Sequence, residues 1–149
     1  MTLGEKLKED LKNAFKGGDK LKTAVLRFLL SEIQNKEKEK QAQGKKPELA
    51  DDEVVQALQK EFKKRREAIG LFKKGGREDL VASEEAELAL IEEYVPKQLT
   101  REEAQAIVLG VISRGAADFN SVMKEAMKEM KGRADGKMVG EIIKERISN

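Results

Sequence analysis

The sequence predicts an all-α protein, with an N-terminal bundle of about four helices followed by a small three-helix C-terminal module. Three observations carry that prediction. Apolar residues recur at steps of three and four along most of the chain, and no stretch keeps the period of two that a half-buried strand needs. Proline, the strongest helix breaker, occurs only twice in 149 residues. Charged residues make up 39% and nearly cancel to a formal net charge of +2, which is the composition of solvated helix faces. Aromatic content is 4%, so the cores must be aliphatic.

The elements follow in order. Leu3, Leu7, Leu11 and Phe15 recur every four residues and predict a first helix over 2–16 with that stripe buried. Gly17-Gly18 stops it, and Asp19 caps a second helix over 20–43 that buries Val25, Leu26, Leu29, Leu30 and Ile33. Beyond Gln34 this helix is almost wholly polar and is expected to project into solvent or fray. After the linker Gly44-Lys-Lys-Pro47, Asp51 is the candidate cap of a third helix over 52–74. Its seam reads Val55, Leu58, Phe62, Arg65, Ile69 and Phe72, with the arginine interrupting it. A fourth, acidic helix is expected over 78–94. Pro96 marks the best boundary, giving domains 1–95 and 96–149.

Thr100-Arg-Glu-Glu103 has the form of a capping box and starts a fifth helix that runs to Gly115. A sixth, capped near Asn120, buries Val122, Met123, Met127 and Met130. A seventh begins around Asp135 and buries Met138, Val139, Ile142, Ile143 and Ile147. Four of the five methionines lie in this tail, where filling an irregular aromatic-poor core is their expected use.

Composition excludes several chemistries. There is no cysteine and no histidine, which removes disulfides, thiol nucleophiles, ordinary zinc sites and Ser-His catalysis. No metal or other cofactor is expected. Adjacent acids such as Glu84-Glu85 and Glu92-Glu93 diverge by about 100° on a helix and do not make a catalytic pair. No stretch approaches 18 consecutive apolar residues, and Met1–Lys6 has no apolar leader. A cytoplasmic protein without membrane attachment is the expectation.

Lys131–Val139, "KGRADGKMV", is the stretch that most resembles a site. It lacks the Gly-Lys-Ser/Thr and preceding strand of a P-loop, and it offers one carboxylate where a calcium loop needs several. Gly132 suits a left-handed helix end and Asp135 a helix N-cap, so Gly132, Asp135 and Gly136 form a structural corner. Asp135 would occupy the spot at which a helix N-terminus attracts phosphate. Lys124, Lys128 and Lys131 share one side of the sixth helix; with Arg133 and Lys137 they are the candidate nucleic-acid-binding residues. A second basic set is Lys63, Arg66, Lys73 and Arg77. Arg65, placed in an apolar seam, is expected to pair with Glu84 or Glu87 or to snorkel outward.

Three strings, Glu61–Leu80 ("EFKKRREAIGLFKKGGREDL"), Glu84–Thr100 ("EEAELALIEEYVPKQLT") and Val122–Val139 ("VMKEAMKEMKGRADGKMV"), resemble the GatB/YqeY family, closest to its stand-alone YqeY-like proteins. The resemblance runs over essentially the whole chain. It departs at Asn120-Ser121, where the family often has Gly, at Lys128, where it often has Pro, and at Ala50, where it usually has a Ser/Thr cap. The resemblance implies a tail module like that of the B subunit of the tRNA-dependent amidotransferase, which helps hold tRNA. The expected function is therefore a non-catalytic, tRNA-associated binding module. The alternatives are a protein–protein adaptor or accessory subunit, and a carbon–nitrogen ligase with glutamine as amido-N-donor. No Ser-Ser-Lys amidase constellation is visible among Ser31, Ser83, Ser113, Ser121 and Ser148, so the enzyme reading is disfavoured. The expected partners are tRNA or a protein of the translation apparatus.

Overall fold

The computed structural model describes residues 1–147; Ser148 and Asn149 lie outside the described residues. Its elements are seven helices: α1 (Leu3–Lys16), α2 (Lys20–Ala42), α3 (Asp51–Lys74), α4 (Glu78–Glu92), α5 (Arg101–Ser113), α6 (Phe119–Met130) and α7 (Gly136–Ile147). No strand occurs among the described residues, so the chain is all-α. No described helix is long and apolar enough to cross a membrane. The chain divides into two compact units, Met1–Val95 and Pro96–Asn149.

In the first unit α1 packs on α2 and α3 on α4, and the two pairs close over one aliphatic core centred on Leu7, Leu26, Leu29, Leu58 and Ile91. The start of α1 is a full capping box: the Thr2 hydroxyl accepts the Glu5 N–H, and the Glu5 carboxylate accepts the Thr2 N–H, each at 3.1 Å. The α1 stripe differs from expectation at its end. Leu7 is buried and Leu3 and Leu11 half-buried, but Phe15 is 65% exposed, and Ala14 takes the inward place. Steps of four residues advance about 40° beyond a full turn. Over three such steps the stripe has rotated off the core.

Asp19 caps α2 as expected, accepting the Lys22 N–H at 3.1 Å. The polar end of α2 stays helical because Lys40 Nζ donates to the Glu48 carbonyl at 2.9 Å and to Glu53 at 3.0 Å. That leaves a cleft of about 280 Å³ between it and the start of α3. The cap of α3 is a correction. Helix α3 starts one residue early, with Ala50 at the N-cap, and Glu53 accepts the Ala50 N–H at 3.0 Å. This hydrogen bond, and then the Lys40 ammonium, hold the Glu53 carboxyl below the ordinary carboxylate range. Asp51 instead accepts the Leu3 N–H at 3.0 Å and ties α3 to α1. On α3 Val54 is buried and Val55 half-buried.

Helix α4 ends at Glu92, and Tyr94 and Val95 fold back into the core. Pro96 disfavours a helical conformation at Val95, which explains the early stop. The Tyr94 hydroxyl donates to Asp10 at 2.5 Å; burial first, then the Asp10 carboxylate, raise the phenol well above its ordinary value.

Arg65 does not snorkel. Its guanidinium reaches Glu61 at 3.0 Å, Glu84 at 3.6 Å and also Glu87, and lies 5.3 Å from the Phe28 ring centre. Both Arg65 and Glu61 are close to buried, with side chains 13% and 10% exposed. Truncating one partner of such a pair strands the other charge, at a cost of roughly 3–5 kcal/mol. Arg65→Ala should therefore lower stability by about 3 kcal/mol in urea unfolding, and adding Glu61→Leu should recover most of the loss. In contrast, Gly70 sits exposed inside α3 with nothing within 4 Å of an added methyl group. Gly70→Ala should raise stability by about 0.5–1 kcal/mol in the same measurement.

Candidate nucleic-acid interface

In the second unit α5, α6 and α7 pack pairwise around Val108, Val122, Met130, Val139, Ile142 and Ile143, all fully buried. Thr100 and Glu103 close the start of α5 as a reciprocal capping box, each hydrogen bond 3.1 Å. The cap of α6 is a second correction: Asp118, not Asn120, holds it. The Asp118 carboxylate accepts the Ser121 N–H at 3.2 Å and the Ser121 hydroxyl at 2.6 Å. These bonds, the hydroxyl's first, keep its carboxyl below the ordinary range. Asp118 and Asn120 are both good caps by type. The turn begins at the residue that has a donor three positions on and Phe119 to bury behind it. The methionines divide: Met130 is fully buried, and Met123, Met127 and Met138 pack half-buried against the same core.

The corner after α6 uses two left-handed residues where one was expected. Lys131 has φ 52° and ψ 45°, and Gly132 has φ 76°. Glycine adopts this region at no steric cost, whereas a side chain there costs roughly 1–2 kcal/mol. The Lys131 N–H donates to the Met127 carbonyl at 3.2 Å and the Arg133 N–H to Met130 at 3.0 Å, which satisfies the helix end. Asp135 opens α7. Its carbonyl accepts the Val139 N–H at 3.1 Å, and its carboxylate lies 3.4 Å from the Lys137 nitrogen. A methyl group at Gly136 would meet Met123 Cε at 3.7 Å, and one at Gly140 would meet Phe119 Cζ at 3.7 Å. Both are ordinary van der Waals contacts, so α7 faces α6 at these two positions without requiring glycine.

Arg133 has a role that the sequence did not disclose. Its Nε donates to the Lys97 carbonyl at 3.0 Å, and its own carbonyl accepts the Leu99 N–H at 2.7 Å. Residues 97–99, which lead into α5, are stapled to the corner. No residue type at 97 signals this, because the acceptor is a backbone oxygen. Glu103 lies in the same neighbourhood: Thr100 chiefly, with weaker help from the Arg133 and Lys97 charges, holds its carboxyl below the ordinary range.

The five candidate basic residues therefore separate. Lys124 and Lys128 are exposed and fall at i and i+4, about 40° apart on the side of α6 away from Val122, Ala126 and Met130; Lys131, also exposed, follows the helix in the left-handed conformation and leaves its α-helical step. Lys124 and Lys128 have no ion pair among the described residues. Arg133 adjoins this line, but its Nε is committed to Lys97. Lys137 stands exposed on the first turn of α7, outside the line. The other arginines nearby are paired, Arg114 with Glu129 at 3.0 Å and Arg101 with Glu145 at 2.8 Å. Three of the second basic set have partners, Lys73 with Glu85 at 3.6 Å, Arg77 with Asp79 at 3.4 Å, and Arg66 over the Phe62 ring at 5.8 Å; Lys63 is exposed with no ion pair among the described residues. No group of three or more His, Cys, Asp or Glu able to hold a metal occurs among the described residues.

The profile of one protein family, described as Yqey-like protein, matches residues 4–147. The chain is 30% identical over 146 residues to altered inheritance of mitochondria protein 41 of Pyrenophora tritici-repentis, covering 94% of this chain and 78% of the relative. The proteins of that name from Kluyveromyces lactis and Saccharomyces cerevisiae are 31% and 30% identical over 133 and 130 residues, covering 88% and 83% of this chain and 68% of each relative. All three are named as mitochondrial. This overturns the cytoplasmic expectation. An apolar leader signals secretion, and its absence carries no information about mitochondrial proteins, whose targeting segments are amphipathic and basic.

Two outcomes follow from the corner. Arg133→Ala removes the bond to Lys97 and should cost about 1 kcal/mol in urea unfolding followed by circular dichroism. The depressed carboxyls of Glu103 and Asp118 stabilise the fold above their unfolded values, and this contribution is lost as pH falls through the folded ones. Thermal midpoints should stay nearly flat from about pH 8 to pH 5, since no histidine titrates there, and drop below about pH 4.

Proposed function

We propose a function from one premise: this chain belongs to the YqeY-like protein family. The reading is a non-catalytic binding module that docks the phosphate backbone of tRNA on α6. The observation that carries it is Lys124 and Lys128, exposed one turn apart on the side of α6 away from the core and paired to no carboxylate among the described residues, with the exposed Lys131 next along the chain. Two other cations of this unit, Arg101 and Arg114, are neutralised in place. The backbone at Lys131 adds to this. A glycine would adopt φ 52° without strain, so the chain tolerates strain there to display a long cationic side chain. Lysine side chains read charge and spacing rather than base identity, which suits backbone docking.

The family description and the relatives' names state no reaction, and the ligase alternative gains nothing from the site. The residues here can position an anion.

Purified chain should bind tRNA with an affinity that falls with salt at a log–log slope of roughly −2 to −3, as three neutralised phosphates require. The double substitution Lys124→Glu, Lys128→Glu should abolish most of that binding with the thermal midpoint unchanged. Lys131→Gly should weaken binding while raising stability by about 1 kcal/mol. Filter-binding titration that finds tRNA held no better than a generic duplex, or no response to these substitutions, refutes the reading.

A further inference from the structure

The first unit carries a cationic face of its own, which does not rest on the tRNA reading. It lies on α3, on the side turned away from the buried Leu58, Phe62 and Ile69. Lys60, Lys63, Lys64, Leu71 and Lys74 fall within a band about 100° wide, centred opposite those three residues. All five side chains are exposed, and none of the four lysines has an ion pair among the described residues. We propose that this face docks on the surface of an anionic phospholipid bilayer, with the lysines among the headgroups and Leu71 inserted between them. No described helix can cross a membrane, but surface docking needs only one exposed face.

The acids around the band leave its charge in place. Glu67 is the one acid within it. On the α4 side, Glu84 and Glu87 are held by Arg65 and Glu85 by Lys73. On the α2 side, Lys60 lines the cleft that also holds Glu39 and Glu53, but Lys36 takes Glu39 at 3.4 Å and Lys40 takes Glu53 at 3.0 Å. Four lysines against one glutamate therefore face solvent along about 21 Å of helix. Leu71 selects the occupant. At 68% exposure it is the most exposed large apolar side chain of the described helices, and it stands inside the band with open space around the adjoining Gly70. A phosphodiester backbone would meet Leu71 among the cations, and no aromatic ring lies in the band for a base to stack on. A partner helix needs apolar contacts at repeated steps, and the band offers one. A bilayer is a plane, which touches a straight helix along such a band. It takes clustered lysines at its charged surface and an apolar side chain beneath it, the two signals that stable surface attachment combines.

The chain has no tryptophan, so Leu71→Trp places a single reporter at the point of insertion. Its emission should shift to shorter wavelength on vesicles of equal parts phosphatidylcholine and phosphatidylglycerol. It should not shift on phosphatidylcholine alone or on duplex RNA. In co-sedimentation the unsubstituted chain should bind the mixed vesicles and release them as salt rises. The double substitution Lys63→Glu, Lys64→Glu should weaken that binding by at least about tenfold, and Leu71→Ser by roughly fivefold. These side chains are exposed, so circular dichroism and the thermal midpoint should stay unchanged. The Lys124→Glu, Lys128→Glu chain should bind vesicles as the unsubstituted chain does, which separates this face from the α6 lysines. An emission that stays in place on the mixed vesicles overturns the proposal, as does vesicle binding indifferent to Lys63→Glu, Lys64→Glu. Binding of duplex RNA or polyglutamate that this double substitution abolishes, without vesicle binding, overturns it too, because the face would then belong to that partner.

Discussion

The ends of its helices constrain this protein more than their middles do. Each helix leaves four N–H groups and four carbonyls without partners inside the helix, and they must be closed locally. Side-chain oxygens close the starts here: Thr2 with Glu5, Asp19, Glu53, Thr100 with Glu103, and Asp118. Carboxylates are therefore spent at most of the helix starts, and the sites at which those helix dipoles would attract phosphate are already filled; α4, behind Arg77, has no side-chain cap. What remains for recognising an anion is lysine on a helix flank. That is the arrangement on α6, and it is why "KGRADGKMV" works as a corner whose neighbour, and not whose loop, is the candidate interface.

The legible parts of this fold are those where one residue type has one local use. Apolar periodicity located all seven helices, and the Thr100–Glu103 box and the Asp19 cap could be read directly because each pairs a short oxygen with a donor three residues on. Failures came where two neighbours were equally suited. Asp51 and Asn120 are sound caps by type, yet Glu53 reaching back to Ala50 and Ser121 reaching Asp118 moved both starts. Phe15 was misplaced because a stripe written in steps of four ignores the rotation that accumulates along a helix, whereas Val54 and Val55 flank the line through Leu58 on either side and spacing does not choose between them. The Arg133 staple was illegible in principle, since its acceptors and donors are backbone groups at 97 and 99. Of the candidate site, the α6 lysine line was legible by spacing alone. Which cations were already neutralised was not, because Glu129 and Glu145 become partners only in three dimensions.

Net charge misleads for the same reason. Residues 96–149 hold ten basic and eight acidic side chains, a balance that argues weakly for nucleic acid. The fold distributes them unevenly. Arg101 and Arg114 spend their charge on carboxylates, and Arg133 spends its Nε on a carbonyl, while Lys124 and Lys128 keep theirs facing solvent. In the first unit both residue types pair: Arg65 binds three carboxylates inside the bundle, and Lys40 ties the end of α2 to Glu53 at the start of α3.

Arg65 and Arg133 both fix elements in place. Arg65, locked by Glu61, Glu84 and Glu87, ties α3 to α4 and lies against the Phe28 ring of α2. Arg133 fixes residues 97–99 against the turn that ends α6, so Lys131, which follows the α6 lysines, stands on a corner held from two directions. Lysine side chains are flexible, and ordering one on binding costs about 0.5–1.5 kcal/mol. A rigid base beneath them does not remove that cost, but it keeps the backbone from adding to it. The left-handed conformation at Lys131 is the one place where the protein accepts local strain in this region without using glycine, and it lies at the end of the lysine set that the tRNA reading uses.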